Sequence, residues 1–364
     1  MTRPTPRPGI LDISPYVPGK AKAGAGKVHK LSSNESALGP APSAIKAAEK
    51  AAGKLHLYPD GSATALREKL GQVYDLNPDH LVCGNGSDEL LSLSVRCFTE
   101  PGDEVLMTKH GFSYYPLCAM AEGCTPVQAE EDDLVADVDA LLAAVTEKTK
   151  VLFLANPNNP TGTLLPNEEI GRLRENLRED ILLVLDGAYA EYLLDTDYDP
   201  GTGFVREAIA TGADNVVMTR TFSKIYGLGG MRVGWAYAPP SVIDVFNRVR
   251  SPFNVTAPGL VAGEAALDDQ DFVERNRRHN FSEMARLVQA LRGHGLTVRE
   301  TMANFILVEL PDTAEAQHFL QHQENHGVLV RGLSSSNLPN FVRVSIGSRE
   351  ANDAFLAASE SFSR

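Results

Sequence analysis

Apolar residues recur along this chain in two rhythms. Stretches at 41–53, 62–74, 87–99, 136–145 and 167–178 carry them at three- and four-residue intervals, which predicts amphipathic helices. Between them lie short continuous apolar runs, Val151–Ala155, Ile181–Leu185 and Val216–Thr219, whose length and lack of polar interruption predict strands buried on both faces. Helix alternating with such strands implies an α/β fold with a mostly parallel sheet. Past about residue 250 the pattern changes to a long helical stretch near 256–292, followed by apolar runs at 296–299, 304–310, 328–331 and 341–346, which predicts a smaller α+β domain. Residues 1–40, with many Pro, Gly and Lys and little period, read as an extended arm. The expected division is an arm at 1–40 joining the small domain, a large domain at 41–250 and the small domain at 251–364.

A chain of 364 residues with 43% hydrophobic content can fill a sizeable core. Its 47 acidic against 34 basic residues give a net charge of -13, which disfavours nucleic acid or an anionic membrane as partner, so an anionic ligand needs a local basic site. Cys83, Cys97, Cys118 and Cys124 lie in apolar segments without a Cys-x-x-Cys pair, as expected of buried thiols in a reducing compartment. No signal-like or membrane-spanning apolar stretch is present, and a cytoplasmic protein is expected.

The candidate chemistry clusters just beyond the apolar runs. Thr221-Phe222-Ser223-Lys224 follows Val216-Val217-Met218 and precedes Gly227, Gly229, Gly230 and Arg232. This puts a lysine where open α/β sheets place ligand-binding loops, beside hydroxyls and a guanidinium able to hold a phosphate. Asp186 ends the run Ile181–Leu185, where a carboxylate is costly unless it meets a cation or a donor. A strand-end turn or helix cap is the plainer alternative. Tyr189 follows three residues later, able to hydrogen-bond an oxyanion of a cofactor. In Asn156-Pro157-Asn158-Asn159-Pro160-Thr161-Gly162 two prolines stiffen a loop that holds Asn159 as a fixed amide donor, or forms a turn with no ligand. Gly84-Asn85-Gly86-Ser87 runs from a strand into a helix beginning near Asp88, a start that cradles an anion or is simply capped. Phe112 in Gly111-Phe112-Ser113 can stack on a flat ring or pack in the core.

Together these strings resemble the fold-type I aminotransferases that use pyridoxal 5′-phosphate (PLP), and their details are similar to the histidinol-phosphate aminotransferase branch. The resemblance extends through Leu31-Ser32-Ser33-Asn34-Glu35, Tyr58-Pro59-Asp60-Gly61, Pro252-Phe253-Asn254-Val255, Ala303-Asn304-Phe305 and Val342-Arg343-Val344-Ser345, from about residue 10 to 350. It implies a large three-layer α/β/α domain with a smaller α+β domain. It also implies that Lys224 carries PLP covalently and moves a proton at the substrate Cα. Asp186 would hold the ring nitrogen protonated, Asn159 and Tyr189 would hold the phenolate oxygen, and Phe112 would cover the ring. Ser87, Asp88, Thr221, Ser223 and Arg232 would bind the cofactor phosphate, joined by Tyr58 from a second subunit of a homodimer. Arg343, with Arg331, would grip the anionic end of the substrate, and Tyr16 and Asn34 would line the entrance. The implied reaction exchanges an amino group between L-histidinol phosphate and 2-oxoglutarate in histidine biosynthesis.

Two departures from the family pattern are Gly187, where Glu is usual after the aspartate, and Gly230, where Ala is common. Both bear on fine specificity rather than on PLP. An aromatic amino-acid aminotransferase shares every cofactor residue, and a phosphothreonine-type decarboxylase or a non-catalytic PLP-binding protein would share most of them. His318, His322 and His326 fall at helical spacing, but no carboxylate pattern completes a metal site, and none is expected. Gly24-Ala25-Gly26-Lys27 is only faintly like a phosphate loop, since Val28 stands where Ser or Thr is needed.

Overall fold

The computed structural model describes residues 4–7, 9–13, 27–193 and 198–362. Its centre is a seven-stranded sheet of Leu81–Asn85 (β1), Glu104–Thr108 (β2), Thr125–Ala129 (β3), Thr149–Ala155 (β4), Leu182–Asp186 (β5), Val216–Thr221 (β6) and Val233–Tyr237 (β7). They lie in the order β1-β7-β6-β5-β4-β2-β3, parallel except for β7, which runs antiparallel to both neighbours.

The apolar runs are strands because side chains two apart share a face and both faces are covered. Leu152, Leu154, Leu183, Leu185, Val216 and Met218 pack into one layer, while Val151, Phe153, Leu182, Val184 and Val217 pack into the other. Helices supply both layers, giving the three-layer α/β/α architecture. The helices expected at 41–53, 62–74, 87–99, 136–145 and 167–178 are observed as Pro42–Ala52, Thr64–Tyr74, Ser87–Phe98, Val138–Ala143 and Asn167–Asn176.

Beyond residue 250 the expected single long helix is two, Ala257–Asp268 and Gln270–Gly293. The break is at Asp269, whose carboxylate accepts from Phe272 N at 3.1 Å and so caps the second helix. A second sheet is built from Thr297–Arg299 (β8), Phe305–Glu309 (β9), Arg331–Leu333 (β10) and Leu338–Ser345 (β11), in the order β8-β9-β11-β10, all antiparallel. Its separate core includes Leu287, Leu291, Ile306, Val308, Phe319, Val342 and Phe355. His29–Lys30 pairs in parallel with Val328–Leu329, and Leu31 enters the same core. No helix among the described residues is long and apolar enough to cross a membrane.

Candidate active site

The loops at the C-terminal ends of β1, β4, β5 and β6 meet around a cavity. Lys224 lines it, together with every residue expected to hold a cofactor except Tyr58. A neighbouring cavity is lined by Lys224 again, by Arg331 and Arg343, and by Ser32, Ser335 and Ser336. The lysine therefore stands at the junction of a phosphate-and-ring pocket and an arginine-and-serine pocket, its Nζ 5.6 Å from the Tyr189 ring centre.

At the inner end of the first cavity, Asp186 is buried to 5% exposure at the last position of β5, so its side chain enters the site instead of solvent. Oδ2 accepts from Tyr115 Oη at 2.8 Å, and Oδ1 accepts from Ala188 N at 3.2 Å and Thr219 Oγ1 at 3.3 Å. Burial pushes its pKa up to about 6, against the lowering effect of the Tyr115 hydrogen bond. A carboxylate offers about four lone-pair sites, so these three donors leave room for one further partner. A protonated ring nitrogen meets that requirement, and it would favour the ionised carboxylate. Phe112 and Ala188 line the same cavity and offer apolar surface to a flat ring.

The opposite end is built for a phosphate. The helix Ser87–Phe98 begins after Gly86 at φ 75° with no side-chain cap, so Ser87 does not cap its own helix and the first N–H groups stay available to an anion. Gly234 lets β7 pass beneath that helix start, since a Cβ there would run into Ser87 N. Arg232 donates to Ser223 Oγ at 3.2 Å and to Asp88 Oδ2 at 3.0 Å, while Thr221 Oγ1 donates to Ser223 Oγ at 2.9 Å. A Cβ on Gly86 would collide with the Arg232 guanidinium, so the glycine is what admits that cation to the cradle.

At the mouth, Asn34 Nδ2 donates to Tyr189 Oη at 2.8 Å, and Ser345 Oγ donates to Asn34 Oδ1 at 3.0 Å. Asn34 is thus buried behind Tyr189, holding the phenol, and it also lines the second cavity beside Arg331 and Arg343. Arg343 donates through Nη1 to Asn159 Oδ1 and through Nη2 to Ser32 O at 3.2 Å, with its guanidinium 5.4 Å from the Phe305 ring centre. Since Asn159 Oδ1 faces the arginine, its Nδ2 is the group left to donate toward a ligand.

Tyr16 lies outside the described residues. Tyr58 is 83% exposed, stacked on Phe253 with ring centres 4.7 Å apart, and does not reach this chain's own cavity. Gly187 packs against Arg220, whose guanidinium pairs with buried Glu191 at 3.0 Å; a Cβ at 187 would lie 3.3 Å from Arg220 Cδ. His322 and His326 turn their ring nitrogens to the carbonyls of Ala358 and His322. Among the described residues no group of three or more His, Cys, Asp or Glu is arranged to hold a metal ion.

Tyr115, Thr219 and Ser345 also join the site, through bonds to Asp186 and Asn34, without a motif that marks them. Tyr115 lies in the first turn of the helix Tyr114–Ala121, just after Phe112, but it reads as an ordinary core aromatic. Thr219 lies two residues before Thr221, hence on the same strand face, and that period was the available signal.

The family described as "Aminotransferase class I and II" matches residues 26–358. The "Histidinol-phosphate aminotransferase" of Paramagnetospirillum magneticum is 50% identical over 368 residues, covering 100% of this chain and 99% of that protein. The protein of the same name from Rhodospirillum centenum is 47% identical, covering 95% of each. A crystal structure of histidinol-phosphate aminotransferase from Sinorhizobium meliloti in complex with pyridoxal-5′-phosphate superposes with a TM-score of 0.85 at 30% identity, covering 92% of this chain and 90% of that one.

Proposed function

Since the chain belongs to the class I and II aminotransferases, we propose that it performs PLP-dependent transfer of an amino group between L-histidinol phosphate and 2-oxoglutarate, a step of histidine biosynthesis. The observation that carries this reading is the position of Lys224 at the wall shared by the two cavities. Bound in the first, PLP supplies an electron sink that stabilises negative charge developing at the substrate Cα. Lys224 is the covalent anchor and, once displaced, the base whose Nζ would take the substrate Cα proton and deliver it to the cofactor's C4′ carbon. Asp186 keeps positive charge on the ring nitrogen, Tyr189 and Asn159 donate to the phenolate oxygen, and the Gly86–Asp88 turn with Arg232 and Ser223 fixes the phosphate.

In the second cavity Arg343 presents a planar fork that suits the carboxylate of glutamate in one half-reaction and the phosphate of histidinol phosphate in the other. Arg331 adds charge, and Ser335 and Ser336 on the same wall add hydroxyls suited to a phosphate. Single-turnover absorbance of the PLP-loaded protein with histidinol phosphate, phenylalanine and phosphothreonine tests the assignment. Histidinol phosphate should convert the bound-cofactor band fastest, and 2-oxoglutarate should restore it. Conversion by phenylalanine alone would favour an aromatic aminotransferase, release of CO2 from phosphothreonine a decarboxylase, and no conversion at all a binding protein.

The functional unit in this reading is a homodimer in which Tyr58 reaches the partner's cofactor phosphate. Its support is that Tyr58, Leu57, Leu55 and Phe253 are exposed, apolar in body and close in sequence or in contact. A cytoplasmic setting belongs to the same proposal, supported by four free cysteines, three of them buried.

A further inference from the structure

Tyr115 is the group through which the protein's own packing reaches Asp186. Its ring is 1% exposed and stacked on Phe153, with centres 4.5 Å apart at 11°, and meets Phe112 edge-on at 5.7 Å and 89°. Those contacts hold the phenol in one orientation and aim its Oη at Asp186 Oδ2, 2.8 Å away and 71 positions along the chain. Burial and the Asp186 charge keep the phenol pKa well above its ordinary value, so the hydroxyl is a permanent donor.

We infer that Tyr115 is a positioning residue for the transamination: by donating to Asp186 Oδ2 it lowers the basicity of that carboxylate and leaves the shared proton on the cofactor's ring nitrogen. The inference rests on PLP occupying the first cavity, as proposed above. One proton lies between Asp186 and the nitrogen, and no other atom changes partner. Where it resides depends on which of the two is the stronger base. Burial raises the proton affinity of Asp186, as does the Asp88 carboxylate. Tyr115 supplies the shortest of the three hydrogen bonds that oppose this, the others coming from Ala188 N and Thr219 Oγ1. Lys224 and Arg232 are the cations lining the same cavity. The segment that begins with Phe112 therefore serves both the face of the ring and its nitrogen.

The Tyr115→Phe holoenzyme tests this, because phenylalanine keeps the stacked ring and removes only the hydroxyl. With PLP labelled at the ring nitrogen, the 15N resonance of the wild type should report a protonated nitrogen, and that of Tyr115→Phe should move toward the unprotonated position. PLP release on dilution should show about tenfold weaker binding, the loss of one charge-assisted hydrogen bond, and kcat should fall with KM little changed. Phe153→Leu loosens the ring's support while keeping the hydroxyl. Its resonance should move less than that of Tyr115→Phe, because the donor is loosened but still present, whereas a merely structural role for Tyr115 would shift both variants equally. A Tyr115→Phe resonance and PLP affinity equal to wild type would overturn the inference while leaving the proposed function intact. A wild-type protein holding no protonated cofactor nitrogen would overturn both.

Discussion

Asn34 Nδ2 donates a 2.8 Å hydrogen bond to Tyr189 Oη across 155 positions of sequence, and it does so while its Oδ1 accepts from Ser345 Oγ. The N-terminal segment, the strand β11 and the loop after β5 thus meet in one buried chain of polar groups. With its lone pair occupied by Asn34, the Tyr189 hydroxyl is free to donate its proton toward a cofactor oxygen.

From this chain, the Asn34→Ala variant is expected to leave Tyr189 less well oriented and the Ser345 hydroxyl without its acceptor. One such buried bond is worth about 1 kcal/mol, which corresponds to a fall in kcat/KM of roughly fivefold to tenfold. Steady-state kinetics with PLP content measured by absorbance provides the check. Unchanged kcat/KM at full PLP occupancy would show that Tyr189 does not depend on Asn34.

The pH response of the cofactor-free protein follows from Asp186. Its pKa is raised from 3.8 to about 6 in the folded state. The stability that protonation contributes is therefore complete below pH 3.8 and lost as pH rises through about 6. Cofactor-free Asp186→Asn should accordingly exceed wild type in stability at pH 7.5, by up to about 3 kcal/mol from the 1.36 kcal/mol per pKa unit of linkage. The advantage should shrink toward pH 4. Urea denaturation at the two pH values measures it, and an advantage that does not change with pH contradicts the assignment. Added PLP should stabilise wild type more than the variant, because only the carboxylate gains from a cationic ring.

Arg343 and Arg331 are expected to separate by substrate. Arg343→Lys keeps the charge but loses the planar fork that reaches Asn159 and Ser32, and KM should rise about tenfold to a hundredfold for glutamate and histidinol phosphate alike. Arg331→Ala should raise KM for histidinol phosphate more than for glutamate, since phosphate carries the greater charge. Equal effects of Arg331→Ala on both substrates would place that arginine outside the phosphate contact.

Subunit mixing tests the reach of Tyr58. Lys224→Ala and Tyr58→Ala chains each spoil one component, and if Tyr58 serves the partner's site, a hybrid dimer carries one site lacking both groups and one intact site. Co-expressed, doubly tagged hybrids should then recover activity that neither parent dimer has. Hybrids without recovered activity would show that Tyr58 acts within its own subunit.

Much of this architecture was legible locally. Val151–Ala155, Ile181–Leu185 and Val216–Thr219 are continuous apolar runs because their strands are covered on both faces, and each ends in polar residues where the sheet meets a cavity. Asp186, Asn159 and Lys224 therefore announced themselves by position, and Gly86 by its place between a strand and a helix start. The break at Asp269 was also written in the chain, as a cap residue three places before Phe272, but the helical period on either side concealed it. Tertiary structure alone decided which partners these groups face: Tyr115 on Asp186, Asn34 behind Tyr189, and Arg343 on Asn159 from 184 positions away. A period or a turn signal is set by neighbours along the backbone, whereas a buried donor finds its acceptor only when packing has fixed both rotamers and removed the water that would otherwise satisfy either one.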